Sequence, residues 1–187
     1  MPPPRRVRAD AARNRALVLA TARDAFAAEG PELSLDEIAR RAGVGAGTVH
    51  RHFPTKQALL AGVVIDRLEG LAALAGDLAQ ADHAGTAFFE FLQRLTDEAR
   101  ENLVLTTALD GEIGPDVARA GAKLTAGLTV LLERAQRAGV VKPDLTAQSV
   151  HAILSGVITM ERRLAPAERG IGFRVVVDGL RAHPTPP

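Results

Sequence analysis

The 187-residue sequence predicts an all-α fold of about nine helices. Three observations carry that expectation. Apolar residues recur at helical spacing in nearly every segment, no stretch alternates with period two for long enough to make a strand, and glycine or proline punctuates the helical patterns. Even the β-branched run Val175-Val176-Val177 sits in a helical frame, because Phe173, Val176, Val177 and Leu180 follow an i, i+3, i+4, i+7 spacing.

With 47% hydrophobic and 24% charged residues the chain is able to bury a sizeable core. Met1 to Pro4 and His183 to Pro187 are proline-rich, lack apolar periodicity and are expected to be flexible tails. There is no cysteine, hence no disulfide framework and no thiolate metal site. No apolar run approaches the roughly 20 residues of a membrane helix, and the basic N-terminus lacks the apolar stretch of a signal peptide. A cytoplasmic location is therefore expected.

The net charge of +1 hides an asymmetry: residues 1–60 hold ten Lys/Arg against six Asp/Glu, whereas residues 61–187 carry a net −3. The basic end is the candidate nucleic-acid face. Arg5, Arg6, Arg8, Arg13 and Arg15 crowd the first fifteen residues, read here as a flexible basic arm over 1–10 attracted to phosphates or a minor groove.

The first helix is expected from about Ala11 to Ala28, burying Leu17, Ala20, Ala25 and Phe26, with Gly30 and Pro31 stopping it. Ser34-Leu35-Asp36-Glu37 reads as a capping box: the serine hydroxyl accepts from the amide of residue 37, and the Glu37 carboxylate reaches back to the amide of residue 34. The second helix starts at Leu35 and ends at Gly43, which supplies a tight turn. A third begins near Gly45 and must end by Phe53, because Pro54 disfavours helical geometry in the residue before it. Thr55 then caps a long fourth helix through Leu59, Leu60, Val63, Val64 and Leu68.

These spacings make a three-helix helix-turn-helix over 11–54, and its wording is more specific than its periodicity. Ala22, Phe26, Glu29-Gly30, Leu35, Ile38-Ala39, Ala42-Gly43-Val44, Gly47-Thr48-Val49, Arg51-His52-Phe53, Lys56 and Leu59-Leu60 together resemble the tetracycline-repressor-like (TetR) family, over Arg15 to Leu60. Two positions depart from the family pattern. His50 stands where tyrosine is commonest, and Gly45 replaces a frequent serine, a mild change because glycine is an acceptable cap.

A helix entering the major groove needs a slim leading edge, since the groove is about 12 Å wide. Gly45, Ala46 and Gly47 supply it. Thr48 and His50 are candidates for bonds to base edges or phosphates, and Arg51 for a guanine or a phosphate, while Val49 and Phe53 face inward. The resemblance implies phosphate contacts by His52 and Lys56, and by Ser34 with the amides opening the second helix. Gly43-x-Gly45-x-Gly47 is not a nucleotide loop: it follows a helix and lacks the Lys-Ser/Thr that reaches a nucleotide.

Residues 55–182 are expected to form a helical bundle for regulation and dimerisation, before a tail at 183–187. Its helices are placed at Gly85 to Asn102, Leu103 to Leu109, Asp116 to Ala138, one opened by Pro143 and Thr146, and Ala167 to Ala182, with a break at Gly111 to Pro115. By resemblance, an effector pocket lies among helices five to eight, with Phe88, Phe91, Leu95, Thr106, Leu128, His151 and Leu154 as wall residues and a largely apolar small molecule as ligand. The resemblance also implies a homodimer through the last two helices, to which Ile153, Val157, Phe173, Val176, Val177 and Leu180 offer apolar surface, and a palindromic double-stranded DNA operator.

No catalytic class competes. The five histidines at 50, 52, 83, 151 and 183 show no metal-ligand spacing, and there is no G-x-S-x-G elbow. No cofactor and no metal are expected. The expected function is a repressor released by a small molecule; the alternative is an effector-independent DNA-binding or architectural protein of the same fold.

Overall fold

The computed structural model describes residues 5–108, 114–161 and 163–182, and the side chains at 5–8, 101–108 and 166 are outside that description. The expected tails at Met1 to Pro4 and His183 to Pro187, and Gly111 in the expected break, lie outside the described residues. Within them are eight α-helices, one short 3₁₀ turn and no named strand. The helices are α1 (Arg5–Glu29), α2 (Leu35–Ala42), α3 (Ala46–His52), α4 (Lys56–Leu78), α5 (Ala84–Ala108), α6 (Pro115–Arg137), α7 (Ala147–Glu161) and α8 (Ile171–Leu180). None is long and apolar enough to cross a membrane.

Two compact units result, one from Met1–Arg67 with Glu101–Ala118, the other from Leu68–Arg100 with Arg119–Pro187. In the first, α1 ends where Gly30 takes φ 85°, and α2 ends at Gly43 with φ 63°, a left-handed conformation that side chains resist. The Gly43 amide returns to the carbonyls of Ala39 and Arg40. The buried stripe of α1 is Val18, Leu19, Ala22, Ala25 and Phe26, whereas Leu17 is 46% exposed and Ala20 only half-buried. The stripe starts one residue later than the spacing from Leu17 suggested, because Val18, Ala22, Ala25 and Phe26 share one helix face.

The expected arm is also helical from Arg5. Arg and Ala are strong helix formers, so nothing in residues 5–10 stops the helix before Ala11. The expected fifth and sixth helices merge into α5, since residues 99–108 contain neither glycine nor proline to divide them. That merger is why the count is eight rather than nine.

The core of the second unit gathers Leu71 and Ala75 of α4, Phe88, Phe91, Leu92 and Leu95 of α5, Leu124, Leu128, Leu131 and Leu132 of α6, Val150, Leu154 and Val157 of α7, and Phe173 and Leu180 of α8. Helices α4 and α6 approach closely at Gly127, where an added Cβ would stand 2.7 Å from that of Ala75. Arg134 of α6 donates to the carbonyls of Leu78, Ala79 and Ala81, satisfying the end of α4. Thr146 and Ser149 cap α7 reciprocally: the Ser149 amide donates to Thr146 Oγ1 at 3.1 Å and the Thr146 amide to Ser149 Oγ at 3.0 Å.

Candidate nucleic-acid interface

The helix-turn-helix is assembled by caps at one end and a buried aromatic at the other. The Ser34 hydroxyl accepts from the Glu37 amide at 3.2 Å, fixing the start of α2. Only this half of the capping box forms. The Glu37 carboxylate instead accepts from Arg40, at 2.7 and 2.9 Å, and from Arg41 at 2.6 Å, because two guanidinium groups on the next turn outcompete a single amide. Arg41 also bonds Glu29, tying the end of α1 to α2.

Leu35, Ile38, Ala39 and Ala42 are the buried face of α2, and Val49 that of α3. Phe53, 3% exposed, ends α3 by donating its amide to the Val49 carbonyl. On α4 an added Cβ at Gly62 would lie 2.9 Å from the Phe53 ring and 3.1 Å from Leu19, so glycine lets α4 come close to the aromatic anchor. The Arg15 guanidinium lies 5.5 Å from the ring centre.

With Val49 and Phe53 turned inward, Gly45, Ala46, Gly47, His50 and Arg51 are exposed and Thr48 is half-buried. His52 and Lys56 are half-buried at the end of α3 and the start of α4. Lys56 Nζ is 3.1 Å from Glu32. His50 Nε2 is 3.0 Å from the Asp36 carboxylate of α2, a pairing not legible in the sequence because the partners stand fourteen residues apart on different helices. The side chains of Arg5, Arg6 and Arg8 lie outside the described structure.

The bonds from Arg40 and then Arg41 hold the Glu37 carboxyl down at about 2, against an ordinary value of 4.5. A depressed carboxyl contributes stability above its ordinary value and loses it as pH falls through the folded one. A Glu37→Gln variant is therefore expected to melt below wild type at neutral pH and to converge with it near pH 2, as followed by circular dichroism.

In the second unit the expected effector wall is differently disposed. Phe88, Phe91, Leu95, Leu128 and Leu154 are at most 8% exposed and pack into one core. His151, expected on the apolar side of its helix, is exposed, because the buried face of α7 is Val150, Leu154, Val157 and Ile158. The Thr106 side chain lies outside the described residues. A cavity of about 660 Å³ in the first unit is lined by Arg15, His52, Phe53, Gln57 and Pro115 among others, and one of about 680 Å³ in the second by His83, Phe89, Glu90 and Arg181 among others. Neither is lined by an expected wall residue.

Of the residues expected at a dimer interface, Val157, Phe173 and Leu180 are buried within their own unit, where α7 packs on α8. Val176 and Val177 are half-buried and Ile153 is 40% exposed. The exposed apolar side chains of α7 and α8 are Ile153, Met160, Ile171 and Val175, the last 65% exposed.

Comparison with known proteins agrees with this geometry. Residues 18–63 match the model of the bacterial regulatory proteins of the tetR family, and residues 83–182 match the C-terminal domain of SbtR-like transcriptional regulators. No curated protein matches the chain in sequence. Among solved structures it is similar to the TetR transcription regulatory protein from Mycobacterium vanbaalenii, at 44% identity over 94% of this chain and 99% of that one, TM-score 0.75. It is also similar to the TetR transcriptional regulator SCO0520 from Streptomyces coelicolor, at 29% identity over 91% and 99%, TM-score 0.74. The reduced form of NemR from E. coli shares the fold at 15% identity over 92% and 100%, TM-score 0.70. By its two matched domains and the slim, exposed α3 they contain, the chain belongs to the TetR family, DNA-binding transcription regulators with a helix-turn-helix.

Proposed function

We propose that the chain is a homodimeric repressor that seats α3 in the major groove of a palindromic operator. The observation that carries this is the division of α3: Val49 and the following Phe53 hold it from behind, while Gly45, Ala46, Gly47, His50 and Arg51 are exposed on the side proposed to meet DNA. His52, Lys56 and Ser34 flank this face as phosphate contacts. The dimer pairs through α7 and α8, where Ile153, Met160, Ile171 and Val175 are exposed apolar side chains on two helices that pack on each other.

The test is binding to DNA from upstream of the gene, followed by fluorescence anisotropy across salt concentrations. Wild type is expected to weaken steeply with salt, and Lys56→Ala or His52→Ala to weaken binding and lower the log–log slope by about 0.9 for each phosphate that is no longer neutralised. Val175→Asp is expected to sediment as a monomer and to bind at least about 100-fold more weakly, because the two half-sites are no longer joined. Equal affinity in all variants would overturn the assignment.

Release by a small molecule is the expected regulation. The effector enters by parting α5, α6 and α7, since Phe88, Phe91, Leu128 and Leu154 already fill the space between them. That filling favours the second reading, a regulator without an effector. A ligand screen by thermal shift separates the two: a compound that binds the folded state raises the melting temperature and, for a repressor, frees the DNA.

A further inference from the structure

The first unit holds a space that the proposed DNA contacts do not use. The cavity of about 660 Å³ opens there, and all its lining residues belong to that unit. Its volume falls within the roughly 300–1,000 Å³ of sites that hold small molecules. It is separate from the expected wall of Phe88, Phe91, Leu128 and Leu154, whose side chains fill the core of the other unit. A ligand in this cavity therefore has no packed core to part.

Small residues of α4 open the space. Ala58, Ala61, Gly62 and Ile65 line it at i, i+3, i+4 and i+7, and so share one face of the helix. Three of the four carry a methyl group or less. Gly62 also lets the Phe53 ring lie against α4, where a Cβ would stand 2.9 Å from it. That ring, with Ile65 and with Val117 in the first turn of α6, gives the cavity its apolar surface.

Two nitrogen-bearing side chains flank the same ring and line the same cavity. The Arg15 guanidinium lies 5.5 Å from the centre of Phe53, and the centre of the His52 ring lies 6.3 Å from it. Among the described residues no carboxylate pairs with either, and Asp116, the acidic residue of the lining, already has an interaction of its own. The planar fork of arginine matches a carboxylate through two parallel bonds. Histidine offers an N–H in either charge state. An unpaired cation, a second donor and a flat apolar wall between them suit one kind of molecule, an anion with a flat apolar body.

We propose that this cavity binds an aromatic carboxylate, with the anionic group on Arg15 and His52 and the flat body against Phe53 and Ile65, and that its binding weakens attachment to DNA. His52 is a proposed phosphate contact, so a ligand carboxylate and a DNA phosphate compete for the same N–H. The release step rests on that proposed contact; the binding site does not.

The probe is 2-naphthoate, with neutral 2-naphthamide as its isostere, titrated by isothermal calorimetry into full-length wild type, Arg15→Gln and Ala61→Leu. Arg15 is exposed and Ala61 half-buried, and circular dichroism checks each variant for folding. Wild type is expected to take up one naphthoate per chain with a dissociation constant of about 1 mM or below, the range for a ligand of this size. The amide on wild type, and naphthoate on Arg15→Gln, are each expected to bind at least about tenfold more weakly, the worth of a charge-assisted hydrogen bond. Ala61→Leu, whose longer side chain occupies the cavity, is expected not to bind. Saturating naphthoate is expected to weaken wild-type binding to upstream DNA at least about fivefold and to leave that of Ala61→Leu unchanged.

Absence of naphthoate binding, or equal binding by wild type and both variants, overturns the site. Absence of binding together with weaker DNA affinity and a lower salt slope in Arg15→Gln would place Arg15 on a phosphate of the duplex, and overturns the small-molecule reading in favour of that one. Naphthoate binding that depends on Arg15 but leaves DNA affinity unchanged overturns the release step. If wild type binds no DNA, the DNA-binding reading fails and takes the release step with it, while the calorimetry still decides the site.

Discussion

Replacement of Phe53 by alanine is expected to destabilise the DNA-binding unit by about 3–5 kcal/mol, the range for deleting a buried phenylalanine, and to abolish operator binding. The magnitude follows from the position of the ring. It is 3% exposed, ends α3 and lies so close to α4 that Gly62 has no room for a methyl group without a shift of the ring. Removing it frees α3 from α4, against which the ring sits at Gly62. In thermal melts this corresponds to a loss of roughly 6–20 °C, using about 2–4 °C per kcal/mol for a chain of this size. Phe53→Leu retains most of the buried volume and is expected to lose much less. A shift of under about 2 °C for the alanine variant would show that α3 is held by Val49 rather than by the ring.

Glu161 is the second position of large effect, and it acts in the other unit. Its side chain is 3% exposed at the end of α7. One carboxylate oxygen accepts from Arg100 of α5 at 2.6 Å and the other from the Phe173 amide at 3.1 Å, inside the first turn of α8. Gly170 precedes that helix with φ 90° and offers no capping side chain, so Glu161 supplies the missing acceptor. Gly172 makes room for it: a Cβ there would stand 3.0 Å from Glu161 Oε1. Arg100 is held in turn by Asp97 at 3.2 Å and lies 6.0 Å from the Phe173 ring centre.

A Glu161→Ala variant loses a charged hydrogen bond and a helix cap together, and leaves Arg100 without its shortest partner. The expected cost is about 3 kcal/mol, at the low end for breaking a buried pair because Arg100 is itself 30% exposed. Burial pushes the Glu161 carboxyl up, but the bonds from Arg100 and from the amides of Phe173 and Gly170 outweigh it, and the net direction is down. The contribution of the ionised pair is therefore present above the ordinary value of 4.5 and is lost as pH falls below it. Glu161→Gln preserves the shape but not the charge. It is expected to melt below wild type at pH 7, with the difference closing on acidification. A constant difference across the acid range would assign the role to packing alone.

Local chemistry made the DNA-binding unit legible in sequence. Ser34 before Leu35, the left-handed glycines at 30 and 43, and Pro54 after Phe53 act over three or four residues, so their consequences are visible in a linear string. The pattern that marks α2 and α3 is specific for the same reason: each small or apolar residue has a place on a helix of known period. Where the local pattern misled, competition decided. Glu37 had an amide and two guanidinium groups within reach, and it took the stronger donors.

Tertiary structure decided what joins residues far apart in the chain. Asp36 and His50 meet only because α2 and α3 cross, and Arg100 and Glu161 meet across 61 residues through the packing of α5 on α7. It also divided the apolar residues of the last two helices. Val157, Phe173 and Leu180 went to the core while Ile153, Met160, Ile171 and Val175 were left exposed. A helical wheel shows that these helices have two apolar faces but not which one the rest of the unit covers. Burial is settled by neighbours that sequence spacing does not name, and an exposed apolar face exists only relative to them.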